Sequence, residues 1–339
     1  MTTWDDLNAR ARGLATRLLG RPVFEMMSRC ADLPAIAAEL ERRGYVLEES
    51  ARTSPAGLEL AARRMVAARF RTLGRWAGGR APLLAVLFLD EDRRSIATLM
   101  RGAAQRAPAE VRLSGLVPTP ALPERALEEL ARQPATGPVA VLLNAWRHPL
   151  ADGLVPVATS PEPDLLRIET TLGATFARLA LDGAHKAGRG GMLVGHVQQV
   201  IDVENAYAAL VLAEEKEVRA SDYWLAGGRR IPLDLFARAI TTHDPVRAGK
   251  VLATGFAGTR LGSVFAAVDQ AAGGVERAVL AAWIADLVLA ARTAPLSPAP
   301  LLAYALRLRA EALDIRWLVW GISLGAPSAL LSEGLVTDR

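Results

Sequence analysis

A single cysteine, Cys30, excludes an internal disulfide framework and reads as a small buried hydrophobe. Histidine is almost as scarce. His148, His185, His196 and His243 lie far apart, and none has a partner at metal-ligand spacing. They read as loop or surface residues, and no metal site is expected. Aromatic residues make up only 5% of the chain. No run reaches the roughly 18 uncharged residues that a membrane helix needs. The longest apolar run of the C-terminal third, Ala278 to Ala291, is broken by Asp286. Asp5 and Asp6 stand where a secretory leader would begin with a base. These absences predict a soluble, intracellular chain.

The signatures of catalysis are missing too. The Gly-rich stretch 188–192 lacks the Lys-Ser/Thr pair of a phosphate-cradling loop. Gly255, Gly258 and Gly262 have the wrong spacing for a dinucleotide fingerprint. Asp90, Glu91 and Asp92 offer paired carboxylates, but Asp92 belongs to a repeated pattern and reads as architecture. The expectation is no catalytic residue, no cofactor and no small-molecule substrate. Lysine is nearly absent, at Lys186, Lys216 and Lys250 only, so almost every base is arginine. The arginines are interleaved with acids and form no aromatic–basic stripe, which argues for solvated helix faces and against nucleic acid.

What the chain does have is a pattern that occurs three times. Residues 202–217, 92–108 and 311–327 each begin with an acid: Asp202, Asp92 and Glu311. A small polar residue follows three positions later: Asn205, Ser95 and Asp314. The positions four, seven, eight and eleven after each acid are all apolar. That spacing lines one face of a helix. An acid with a polar residue three on resembles a capping box at a helix N-terminus. Two copies stop at Ala-Pro, at Pro108 and Pro327, as a helix terminator should. The acids are 110 and 109 residues apart. Three copies at one period point to an internally triplicated chain, with units near 1–113, 114–226 and 227–339. Their formal charges are +6, −5 and +3.

Read in order, the chain is all-α. Helices are expected over 3–19, where Thr3 and Asp6 form a capping pair, and over 34–43, 57–77, 123–132, 164–186 and 275–292. Two short ones are expected within 232–254, the second opened by Asp244-Pro245. Residues 149–163, with four prolines, read as a loop. Leu83–Leu89 and Leu301–Arg309 read as short leads into capped helices 92–106 and 311–325. Leu83–Leu89 and Val139–Leu143 are apolar enough for buried strands, but no period-two run supports that reading. Each unit ends alike: long helix, Gly/Pro break, short lead, capped helix.

Several stretches resemble a known family. Leu7-Asn8-Ala9-Arg10-Ala11-Arg12 with Leu18-Leu19 is similar to the start of the C-type stalk protein of archaeal and bacterial vacuolar-type (V/A-type) ATPases, which is related to the d-type protein of the eukaryotic enzymes. Ile201-Asp202-Val203-Glu204-Asn205, Tyr223 to Arg229 and Leu235-Phe236-Ala237-Arg238 resemble its middle segment. Glu311 to Pro327 resembles its terminus. Asp6 stands where the family usually has an aromatic, Ser95 where it has Asn, and residues 113–160 match poorly. The resemblance implies a funnel of three similar helical domains around a pseudo-threefold axis. It implies a non-catalytic rotor subunit in the central stalk, on the cytoplasmic face of the membrane. Its partners would be the central shaft subunits of the ATPase head and the membrane proteolipid ring. Torque passing through it would serve ion transport or ATP synthesis. The alternatives are a helical-repeat adaptor for nucleic acid or signalling proteins, and an α-helical hydrolase using the acids. Solenoid adaptors repeat every 20–50 residues, not every 110.

Overall fold

Helix starts are written into the sequence at several real caps. In a computed structural model describing residues 4–78, 81–187, 191–215, 217–269 and 274–337, the side chains of Asp32, Ser54, Asp164, Asp244 and Thr259 each accept the backbone N–H three residues on. Such a bond satisfies one of the amides that a helix leaves free at its start. The helices are α1 (Asp5–Ala15), α2 (Arg21–Met27), α3 (Leu33–Arg42), α4 (Pro55–Ala77), α5 (Ala81–Ala104) and α6 (Ala109–Arg112). Next come α7 (Glu124–Ala131), α8 (Thr136–Ala145), α9 (Leu154–Ala158), α10 (Leu165–Lys186) and α11 (Gly191–Leu212). The last third holds α12 (Leu233–Ile240), α13 (Pro245–Gly255), α14 (Arg260–Ala266), α15 (Val275–Thr293), α16 (Ala299–Ser323) and α17 (Ser328–Glu333). No strand occurs among the described residues, and Val139–Leu143 lies inside α8. None of these helices is long and apolar enough to cross a membrane.

The element order repeats. A pair of short helices, a third short turn or helix, and a pair of long helices recur three times: α2, α3 to α4, α5; α7, α8 to α10, α11; α12, α13 to α15, α16. The first long helix of each pair starts at 55, 165 and 275, 110 residues apart each time. Ser54 and Asp164, the caps of the first two, keep the same spacing.

The capped helices 92–106, 202–217 and 311–325 need correction. Asp92, Asp202 and Glu311 cap nothing, because each lies in the middle of a longer helix. Asp92 and Asp202 follow the first residues of α5 and α11 by 11 positions, and Glu311 follows that of α16 by 12. The apolar stripe runs on upstream of the acid, through Leu84 and Leu87, Val197 and Val200, and Leu301 and Leu308, all buried. What reads as a lead is therefore helix, and no amide is free for the acid to cap. Residues 149–163 hold a 3-10 turn at Pro149–Ala151 and α9, so that stretch is not all loop. α1 begins at Asp5 with no side-chain cap at Trp4, and Thr3 lies outside the described residues, as do Gly188, Gly190, Lys216 and Gly273.

The described chain divides into two compact units, neither matching one third of the sequence. One comprises residues 1–78, 113–127 and 283–339; the other comprises 79–112 and 128–282. In the first, α16 packs along α4 and α1 and touches α2 and α3. Its core holds Phe24, Met27, Ile36, Leu40 and Leu58 with Ile315, Leu318 and Leu331. N-terminal and C-terminal chain thus share one core. In the second, α5 packs along α10 and against α8, while α11 packs against α10, α12 and α13. Around α11 the core includes Phe236, Phe256 and Phe265, the last two stacked at 5.0 Å. The rule is common to both units. The second long helix of a pair packs on helices of the next repeat, and for α16 the next repeat is the first.

Candidate functional site

All six residues of the repeated pattern are buried: Asp92, Ser95, Asp202, Asn205, Glu311 and Asp314. An acid and a polar residue three positions apart share one helix face. A buried charge or amide needs partners, and each centre finds them in chain distant in sequence.

On α11, the Asp202 carboxylate accepts the backbone N–H groups of Arg229, Arg230 and Ile231, all at 3.0 Å. Three residues on, Asn205 is held twice by one peptide unit. Its Oδ1 accepts from Leu225 N at 2.7 Å, and its Nδ2 donates to Leu225 O at 2.9 Å. Together they pin the loop between α11 and α12. Burial pushes the Asp202 carboxyl above its ordinary value, and the three backbone donors hold that rise in check.

On α16, the Glu311 carboxylate accepts from Leu19 N, from the Tyr45 hydroxyl at 2.8 Å, and from the Arg69 guanidinium. Leu19 stands two residues before α2, as Ile231 stands two before α12. One helical turn on, Asp314 accepts from Val336 N and Thr337 N, both at 2.8 Å. Val336 lies 13 residues past the end of α16, as Leu225 lies 13 past the end of α11. The second and third centres are therefore built to one plan. Burial raises the Glu311 carboxyl, against the pull of Arg69, Leu19 N and Tyr45. Burial and the facing Glu311 raise the Tyr45 phenol well above its usual range.

On α5, Asp92 takes a different partner. His148 Nε2 lies 3.3 Å from Asp92 Oδ2, with both side chains buried. His148 Nδ1 accepts the Leu150 N–H at 3.2 Å, so in the neutral ring the proton sits on Nε2 and points at the carboxylate. His148 lies in the loop between α8 and the 3-10 turn, as expected, but is buried, and His196 is buried within α11, which corrects the surface reading of both. Asp90 and Asp92 do not form an acid pair. Arg93 and Arg94 hold Asp90, and His148 faces Asp92. Cys30 is only partly buried, against the core of its unit.

The sequence carried one sign of these partners. It is the adjacent pair Gly227-Gly228: a side chain on Gly228 would meet the Asp202 carboxylate, and one on Gly227 would meet Leu181. Tyr45, Arg69 and His148 carried no local signal, because their partners are 56 or more residues away.

Chemically, these centres are occupied acceptors. Their carboxylates are enclosed and engaged by backbone amides, a guanidinium, a phenol or an imidazole. That arrangement fixes loops on helices. No group of three or more His, Cys, Asp or Glu arranged to hold a metal occurs among the described residues. The family model described as ATP synthase (C/AC39) subunit matches residues 7–333. A comparison with curated proteins returned no match.

Proposed function

The chain belongs to the ATP synthase (C/AC39) subunit family, and from that premise we propose that it is the non-catalytic central-stalk subunit of a rotary V/A-type ATPase. The family is a structural subunit of ATP synthase complexes, so association with other subunits of such a complex follows from membership. In our reading the chain links the central shaft of the ATPase head to the membrane proteolipid ring. It lies at the cytoplasmic face of the membrane and passes torque that serves ion transport or ATP synthesis. The three repeats would form three similar helical domains around a pseudo-threefold axis, giving a linker with two ends.

One observation carries this reading: the match extends along almost the whole chain, and the most buried acids inside it are engaged in holding loops to helices. A rotor linker needs rigidity and two docking faces, not a reactive centre. Each face should bury roughly 1,200–2,000 Å² in total. The charges of +6, −5 and +3 on successive thirds offer alternating fields, which set angular register more than affinity.

Capture of purified shaft subunits and detergent-solubilised ring across a salt series tests it. Exposed rim pairs weaken as the screening length falls from about 10 Å at 0.1 M to about 3 Å at 1 M, while apolar contacts persist. Partial loss of affinity with salt, with binding surviving, is expected. Failure to bind either partner at low salt would refute the linker reading. Complete loss at moderate salt, with replacement by any polyanion, would favour a nucleic-acid adaptor.

A further inference from the structure

One buried cluster lies outside the three acid centres. Buried Arg93 of α5 bridges Asp90, buried on the same helix, and half-buried Glu204 of α11. Arg93 Nη2 donates to Asp90 Oδ1 and to Glu204 Oε1, each at 2.8 Å. Its guanidinium carbon lies 5.2 Å from the centre of the Phe176 ring on α10, a cation–π distance. Arg94 donates through Nε and Nη2 to the other Asp90 oxygen, at 2.9 and 2.8 Å. Two carboxylates and two guanidiniums balance. Burial opposes the charge on Arg93, and Glu204 and Asp90 outweigh it, holding the guanidinium above its ordinary value. Arg93 therefore touches three long helices at once.

The homologous positions differ. Two residues after the acid, α5 carries Arg94, α11 carries Glu204 and α16 carries Leu313. One residue after it they carry Arg93, Val203 and Ala312. Apolar stripes at the same period cannot tell three similar helices apart. A buried charge can, because a helix seated against the wrong neighbour would leave Arg93 enclosed without the Glu204 carboxylate. Repeat proteins are prone to this kind of misassembly.

We propose that Arg93 and Glu204 are a register key: the ion pair between buried Arg93 and half-buried Glu204 fixes which of the homologous long helices lies beside which within the 79–112 and 128–282 unit. The pair's main effect is on uniqueness of packing, not on stability. Removing one partner strands charge. Replacing both by apolar side chains of similar reach leaves Asp90 paired with Arg94 and frees the helices to choose among neighbours.

The test compares two variants of the full chain with the wild type after refolding from denaturant. Glu204→Gln should lower the thermal midpoint, because two arginines then share one carboxylate. Arg93→Met/Glu204→Leu should keep a midpoint close to that of the wild type. It should also refold to more than one long-lived species by native electrophoresis, with amide exchange in α5 and α11 about tenfold faster than in the wild type. A double variant that refolds to one species with wild-type exchange in both helices overturns the proposal. So does a double variant that loses as much stability as Glu204→Gln, since the pair would then be a plain stabiliser.

Discussion

Gly228 lies so close to the Asp202 carboxylate that a methyl group built on it would overlap Oδ1. Gly227 beside it has φ +106°, a backbone region that L side chains rarely adopt, and a methyl there would strike Leu181 and Ile201. The two glycines let the chain descend onto the acid and present three successive N–H groups to it.

Gly228→Ala should therefore cost about 1–3 kcal/mol, the usual range for overpacking a filled site. Denaturant titration of the full chain measures it. Gly74→Ala serves as the control, because a methyl there meets nothing within 4 Å. Equal stability of the two variants would contradict the fit described between Gly228 and Asp202.

Much of the plan was legible in the sequence, and the reason is periodicity. The repeat at 92, 202 and 311 shows as a shared helical face, and three of its polar members, Asp202, Asn205 and Asp314, pin loops. The function assigned to them within the helix was not legible. Asp92 looks like a cap because Arg93, Arg94 and Ser95 follow it, yet Leu84 and Leu87 upstream are buried on the same helix. An acid inside an apolar face and an acid at a helix start share one local pattern. Only the long-range partner tells them apart, and His148 is 56 residues from Asp92.

At the Glu311 centre, the partners should differ in weight. Tyr45→Phe removes one hydrogen bond to a charged acceptor and should cost about 1.5–3 kcal/mol. Arg69→Met removes the guanidinium facing a buried carboxylate and should cost about 3–5 kcal/mol. Thermal and chemical unfolding of both variants give the comparison. A larger loss from Tyr45→Phe than from Arg69→Met would contradict the role assigned to the ion pair.

His196 supplies a pH signature of known sign. Burial, with Arg94 adding to it and Asp90 opposing it, pushes the imidazole from 6.5 down to about 4. The folded state keeps the ring neutral where the unfolded state binds a proton. Its contribution is complete above pH 6.5 and is lost as the pH falls through 6.5 towards 4. The shift corresponds to about 3 kcal/mol. His196→Gln should remove this component and flatten stability over that window. Parallel slopes for the variant and the wild type would contradict it.

The Asp92–His148 pair should appear as coupling in a double-mutant cycle. His148→Leu and Asp92→Asn each disturb the other partner. Their combination should be less damaging than the sum by about 0.5–3 kcal/mol, the range for side chains in direct contact. Strict additivity would mean that the 3.3 Å approach carries no energy.

The central claim is that this chain works as a linker inside a rotary ATPase, and the mass of the native assembly tests it most directly. The chain, tagged at one end and purified from gently solubilised membranes, is released into a native mass spectrometer. The account predicts one copy of the chain in a particle that also holds the shaft subunits and the proteolipid ring. Recovery of the chain alone, or only with nucleic acid, while an intact ATPase lacking it is present in the same membranes, would contradict the account.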